Sequence, residues 1–129
     1  MKGKNILIVS CVFPPEPVVS ANLSFDIADK LAFKNNVTVI SPLPTRPYGS
    51  DYSNHINQNQ LFIHEILTSY TSSKSNFIGR LKESFSFGRQ SSKFLYANKN
   101  NIDIIYANTW PIFAQYFLVK TAKRLNIPV

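Results

Sequence analysis

A single cysteine, Cys11, excludes an internal disulfide, so this fold must be held by its core and suits a reducing compartment. Cys11 itself reads as a small packed hydrophobe. Glycine is scarce too, with four in 129 residues. There is no G-x-G-x-x-G run and no Walker loop, which excludes the backbone cradle that dehydrogenases use for a dinucleotide pyrophosphate. The two histidines, His55 and His64, lack metal-ligand spacing and read as a loop residue and a strand residue. No G-x-S-x-G elbow is present. No apolar run is long enough to cross a bilayer. Lys2, Lys4 and the apolar residues 6–13 imitate the first half of a signal peptide, but Pro14, Pro15 and Glu16 stand where a small-residue cleavage site belongs. A cytoplasmic protein is therefore expected, and the sequons at Asn22 and Asn36 carry no expectation of glycosylation.

Acidic residues are the last shortage. Seven acids face 14 Lys and Arg, a net charge of +7. Residues 1–73 are balanced, whereas residues 74–129 hold nine basic groups against Glu83 and Asp103. A field so lopsided favours an anionic partner, although a solvated basic face accounts for the same imbalance. No DNA- or RNA-binding motif accompanies the charge, so nucleic acid is not the expected partner.

What is present is an alternation of apolar runs and amphipathic stretches. With 44% apolar residues over 129 positions, the chain is one domain's worth with a real core. Residues 6–13 are nearly continuously apolar and read as a central strand covered on both faces. A helix follows, with Ser20 as its N-cap and Ala21, Ser24, Ile27, Ala28, Leu31 and Ala32 on one side. Residues 37–41 and 62–67 read as further strands, separated by a proline-rich loop over 42–60. A second helix is expected over 76–98, with Phe77, Leu81, Phe85, Gly88, Leu95 and Tyr96 in one arc of about 100° as its core face. Gly88 on that arc would permit close approach to the sheet. Residues 103–107 form strand four. The stretch NTWPIFAQYFLVKTAKRL supplies a third helix, capped by Thr109 and apolar enough to be buried all round. Residues 127–129 look like the start of a fifth strand. This order predicts an α/β fold with a doubly wound parallel sheet.

In such sheets ligands bind at the carboxyl ends of the strands, where strand order reverses. The loops that matter are then the one after strand one, a stiff proline corner carrying Glu16, and the one after strand four, with Asn108, Thr109 and Trp110. A carboxylate, an amide and an aromatic face are groups that bind sugar hydroxyls and rings. Structural roles account for the same residues: prolines ending a strand, an acid near a helix N-terminus, a core tryptophan.

KNILIVSCVFPPEP, the amphipathic helix, VTVISPLPTRPYG and DIIYANTWPIFAQYFLVKTAKRLNIPV together resemble the amino-terminal half of family-four glycosyltransferases of the two-Rossmann-domain (GT-B) fold, of the bacterial surface-polysaccharide kind. The resemblance covers nearly the whole chain. It implies a Rossmann-like domain over 1–129, truncated around its fifth strand, with the donor-binding domain absent. It implies that Pro15, Glu16, Asn108 and Thr109 line the acceptor side of an interdomain cleft. Val18, Val19 and Ser20 stand where the family carries glycines, so this loop is not expected to contact phosphate directly. The implied reaction of a full-length relative moves a sugar from a nucleotide sugar to a lipid-linked or saccharide acceptor, with retention and without a metal or other cofactor. The family's reaction-centre residues and donor-binding glutamates have no counterpart in the chain, so no catalytic residue is expected. A stand-alone, non-catalytic Rossmann-like module is the competing expectation.

Two surfaces carry further expectations. On the second helix Lys82, Arg89 and Lys93 form one basic ridge for an anionic membrane surface or phosphate, with Phe87 and Phe94 as spare aromatics outside the core arc. The apolar flank of the last helix and the edge at 127–129 suit a homodimer.

Overall fold

The structure, a computed structural model, describes residues 3–14, 18–42, 61–70, 76–108 and 112–129. Four strands, β1 (Asn5–Val9), β2 (Asn36–Pro42), β3 (Ile63–Leu67) and β4 (Ile104–Ala107), form one sheet in the order β3-β2-β1-β4. All neighbours run parallel, with Ile8 opposite both Val39 and Tyr106. Helices α1 (Val19–Ala32), α2 (Phe77–Ala97) and α3 (Ile112–Arg124) flank the sheet. The strand order places β1 in the middle and reverses between β1 and β4, as expected for a Rossmann-like doubly wound sheet.

Alternation along the strands divides the core in two. Leu7, Val9, Ile40 and Ile105 point to one face and pack with Phe87, Leu95, Ala114, Leu118 and Ala122 of α2 and α3. Ile8, Val37 and Val39 point to the other and pack with Ala28 of α1, Phe13 and Phe62. Ile104 and Tyr106, on the α1 side of β4, stay about 40% exposed because α1 lies over β1 and β2.

The first strand is shorter than residues 6–13 suggest. Ser10 still donates its N–H to Ile40, but its hydroxyl bonds the carbonyl of Val12, a local side-chain turn that draws the chain off the ladder. The first helix begins at Val19 with Val18 as N-cap and no side-chain cap, so Ser20 falls in its first turn instead. Asn76 does cap α2, accepting from the N–H of Gly79 at 2.6 Å. The proposed Thr109 cap of α3 lies outside the described residues. Residues 127–129 form no regular strand, yet Pro128 accepts from the N–H of Ile105 at 2.8 Å, the first rung of pairing beyond β4.

The largest correction concerns α2. Its buried positions are Gly79, Ser84, Phe87, Gly88, Ser91 and Leu95, whereas Phe77, Phe85 and Tyr96 are 77%, 41% and 45% exposed. The core face is rotated by roughly 70° from the most apolar arc. Phe87 and Phe94 are therefore not spare: Phe87 is in the core and Phe94 packs against it. The cause is α3, which packs along α2 and demands small side chains. A methyl group added at Gly88 would come within 2.9 Å of the Ala114 Cα and of the Phe117 ring. Gly88 permits approach to α3, not to the sheet.

Hydroxyls stitch the same seam. Ser84 Oγ accepts from the N–H of Ala114 at 3.1 Å, satisfying a donor in the first turn of α3 from the neighbouring helix. Thr121 donates to Ser92 and Ser92 to the carbonyl of Phe117. Burial of small residues leaves Ile112, Phe113, Tyr116 and Val119 exposed, so α3 is not buried all round. Its end is a Schellman turn. Asn126 is left-handed at φ 56, and Ile127 bonds back to Ala122 and Asn126 to Lys123.

Gly88→Ala gains up to about 1 kcal/mol of helix propensity but forces two backbones apart, a strain of roughly 1–3 kcal/mol. Urea unfolding is expected to show a net loss of about 1–2 kcal/mol. A stabilised variant would mean that α2 and α3 are not in close contact there.

Candidate functional site

The carboxyl ends of β1 and β4 meet at the point where strand order reverses, and a polar cluster ties them together. Asn108, the residue after β4, donates its backbone N–H to Val9 at 3.2 Å. Its side-chain amide donates to Ser10 Oγ at 2.8 Å and to Ser24 Oγ at 3.1 Å. Ser10 follows β1 and Ser24 lies one turn into α1; both are buried. Ser24 gives its own proton to the carbonyl of Ser20 at 2.9 Å, and Ser10 gives its proton to Val12. A hydroxyl has one proton and two lone pairs. With both protons committed to carbonyls, the 3.1 Å contact between Ser10 and Ser24 is one of shared surroundings, and the amide's two protons fill their acceptor sites.

Of the residues expected to form the site, only Asn108 is among those described, half-buried at the reversal point. Pro15, Glu16 and Thr109 lie outside them. Pro14, which opens the corner, is half-buried. Lys82, Arg89 and Lys93 are exposed on α2, away from this cluster in sequence and on a different element.

Ser10 and Ser24 were not foreseen as site residues. Both left a signal in the sequence, a serine inside an apolar strand run and a serine on the apolar side of a helix. Neither signal names a partner, because 84 residues separate Ser24 from Asn108.

Beside this cluster, on the α1 side of the sheet, Phe13 is 3% exposed and its ring lies 4.5 Å from that of His64, 5.8 Å from Phe62 and 6.0 Å from Phe25. His64 Nε2 is 2.6 Å from the hydroxyl of the buried Ser41. Burial lowers the imidazole to about 4, so it is neutral at pH 7. The strand reading of His64 is the observed one, and His55 lies outside the described residues. Among the described residues no group of three or more His, Cys, Asp and Glu is placed to hold a metal ion.

No family model matches the chain, and no curated protein matches it. Solved structures do. A UGT2 from Phytolacca americana, complexed with UDP-2fluoro-glucose and pterostilbene, is 17% identical with a TM-score of 0.59, over 99% of this chain and 30% of that one. UGT89C1 from Arabidopsis thaliana, complexed with UDP-L-rhamnose, is 14% identical with a TM-score of 0.59, over 98% of this chain and 35% of that one. The C-terminal domain of the PF1911 hydrogenase from Pyrococcus furiosus is 16% identical, also at 0.59, over 99% of this chain and 90% of that one. The chain thus spans about a third of the two transferases. Identities this low establish a shared fold, and the hydrogenase domain shows that the fold alone does not choose a chemistry.

Asn108→Ala removes two hydrogen bonds to buried serine hydroxyls and is expected to cost about 1–3 kcal/mol in denaturant unfolding. Combined with Ser10→Ala, the loss should be clearly less than the sum of the two single losses. Strict additivity would show that the bond between them is not made.

Proposed function

We propose that the chain is the acceptor-side, N-terminal Rossmann-like domain of a sugar transferase, working with a second domain that binds the nucleotide sugar. The observation that carries this reading is the reversal point itself. There the residue after β4 is locked onto the end of β1, and the corner Pro14-Pro15-Glu16 follows directly. Ligands of open α/β sheets bind at this position. The fold likeness to nucleotide-sugar-bound transferases supports it. In this reading Pro15, Glu16, Asn108 and Thr109 line the acceptor side. Because the Asn108 amide protons are held by serines, its contribution to an acceptor hydroxyl is the side-chain oxygen. The acceptor is a saccharide or lipid-linked saccharide of polysaccharide synthesis, and the family-four resemblance supplies that finer assignment.

A stand-alone binding module is the second reading, favoured by the hydrogenase domain, 90% of which is covered by this fold. Activity separates the two. Incubated with nucleotide sugars and lipid-linked acceptors, the 129-residue chain is expected to transfer no sugar, and the same chain joined to a donor-binding domain is expected to do so. Turnover by the chain alone would overturn the division of labour, and inactivity of the joined protein would favour the module.

The surface of α2 and α3 suits a peripheral position on an anionic membrane. Lys82, Arg89 and Lys93 alternate along α2 with exposed Phe85 and Tyr96, and Phe85 stacks on Phe113 of α3 at 4.6 Å. Ile112, Tyr116 and Val119 extend the patch, with Lys120 set 5.7 Å from the Tyr116 ring. These aromatics take the place of Phe87, which is buried, and Phe94, which packs against the core. Among the described residues no helix is long and apolar enough to cross a membrane. Each basic group near anionic lipid contributes about 1 kcal/mol. Vesicles rich in phosphatidylserine are expected to sediment the wild type, and Lys82→Glu, Arg89→Glu and Lys93→Glu together to weaken this at least about tenfold. Binding that ignores both salt and the triple change would sink the membrane role. Sedimentation without vesicles reads the rival use of the flank, a homodimer.

A further inference from the structure

The aromatic cluster around His64 has no part in the sugar-binding reading, yet it lies directly under the segment that leads into the proline corner. Phe13 is the last residue before Pro14, and His64 is one of three rings that hold it. Ser41, on β2, holds the imidazole at Nε2. Three consecutive neighbours in the sheet order thus converge on one ring: β3 carries His64, β2 carries Ser41, and the chain leaving β1 carries Phe13. Phe25 on α1 closes the cluster through its contacts with Phe13 and Phe62.

We infer that His64 is an acid-sensitive latch: its neutral ring fastens the segment carrying Phe13 to β2 and β3, and its protonation releases that segment before the rest of the fold. A neutral imidazole accepts from, or donates to, the Ser41 hydroxyl and packs against phenyl rings without penalty. An imidazolium in the same place must leave water for an apolar cluster, and one hydroxyl does not replace its hydration. The charged groups of the surrounding elements are Lys4 on the residue before β1, Asp26, Asp29 and Lys30 on α1, and Glu65 on β3. Glu16, on the corner itself, lies outside the described residues. None of these charges offsets the burial, which alone sets the ring's low affinity for protons.

The sign follows from linkage. The ring titrates near 4 when folded and near 6.5 when free, so the latch is closed above about 6.5. Between 6.5 and 4 the open state binds a proton that the closed state refuses, and closure weakens steadily as pH falls. The opening is local because the other core cluster, between the sheet and α2 with α3, contains no histidine.

Two measurements on the whole chain test the latch. Imidazole proton resonances, assigned to His64 by their absence in His64→Gln, are expected to titrate below about 5. In Phe13→Leu, which removes a ring from the cluster, the midpoint is expected to rise toward 6.5. Hydrogen exchange, corrected for intrinsic rates, is expected to lose at least about tenfold protection in peptides spanning 8–14 between pH 6.5 and 4.5, with α2 and α3 unchanged. His64→Gln keeps the hydrogen bond without titrating in this range, and should abolish that pH dependence. His64→Phe, which keeps the ring, should do the same. A wild-type midpoint near 6.5 would overturn the latch. So would acid opening that is uniform along the chain or that persists in both variants as in the wild type.

Discussion

Everything in this fold depends on β1 being paired on both sides. A strand with neighbours on both edges has no free backbone groups to offer water, and its side chains alternate between two faces that must each be covered. Leu7 and Val9 require one apolar cover, Ile8 another, and the chain meets both demands with α1 on one side and the α2–α3 pair on the other. The same pairing forces the strand order to reverse at β1, since β2 and β4 occupy its two edges. The candidate site is a consequence of that reversal.

At the reversal the two strand ends are joined by polar groups, not by apolar packing. Asn108 spans Ser10 and Ser24, so the end of β4, the end of β1 and the first turns of α1 move as a unit. Buried polar networks of this kind are useful only when every member is paired. The proton count here closes, with serine protons on carbonyls and amide protons on serines. Such a unit gives the chain leaving β1 a firm base, and the aromatic cluster holds that chain at Phe13. A site built on this base can serve several chemistries, as the transferase and hydrogenase neighbours illustrate.

The α2–α3 seam shows how packing overrides hydrophobic periodicity. The most apolar arc of α2 contains Phe77, Phe85 and Tyr96, and a helix facing a flat sheet would bury them. Facing another helix at the distance set by Gly88 and Ala114, α2 instead buries glycines and serines, and places Phe87 and Leu95 toward the sheet. The displaced aromatics then become surface, which is why the basic ridge is flanked by Phe85 and Tyr96.

The sequence by itself determined the alternation of strands and helices, the central place of the first strand and the parallel doubly wound sheet. These rest on local periodicity and turn chemistry, which act over a few residues and can be read in order. It also determined where the charge lies, because charge is additive. The early end of β1 at Val9, the true face of α2, the pairing of Asn108 with serines far away in the chain and the ring of side chains around His64 were decided only by the tertiary structure. Each depends on which surfaces meet and how closely. A glycine or a serine permits a contact without naming the partner, and a partner 84 residues away, as Ser24 is from Asn108, leaves no periodic trace.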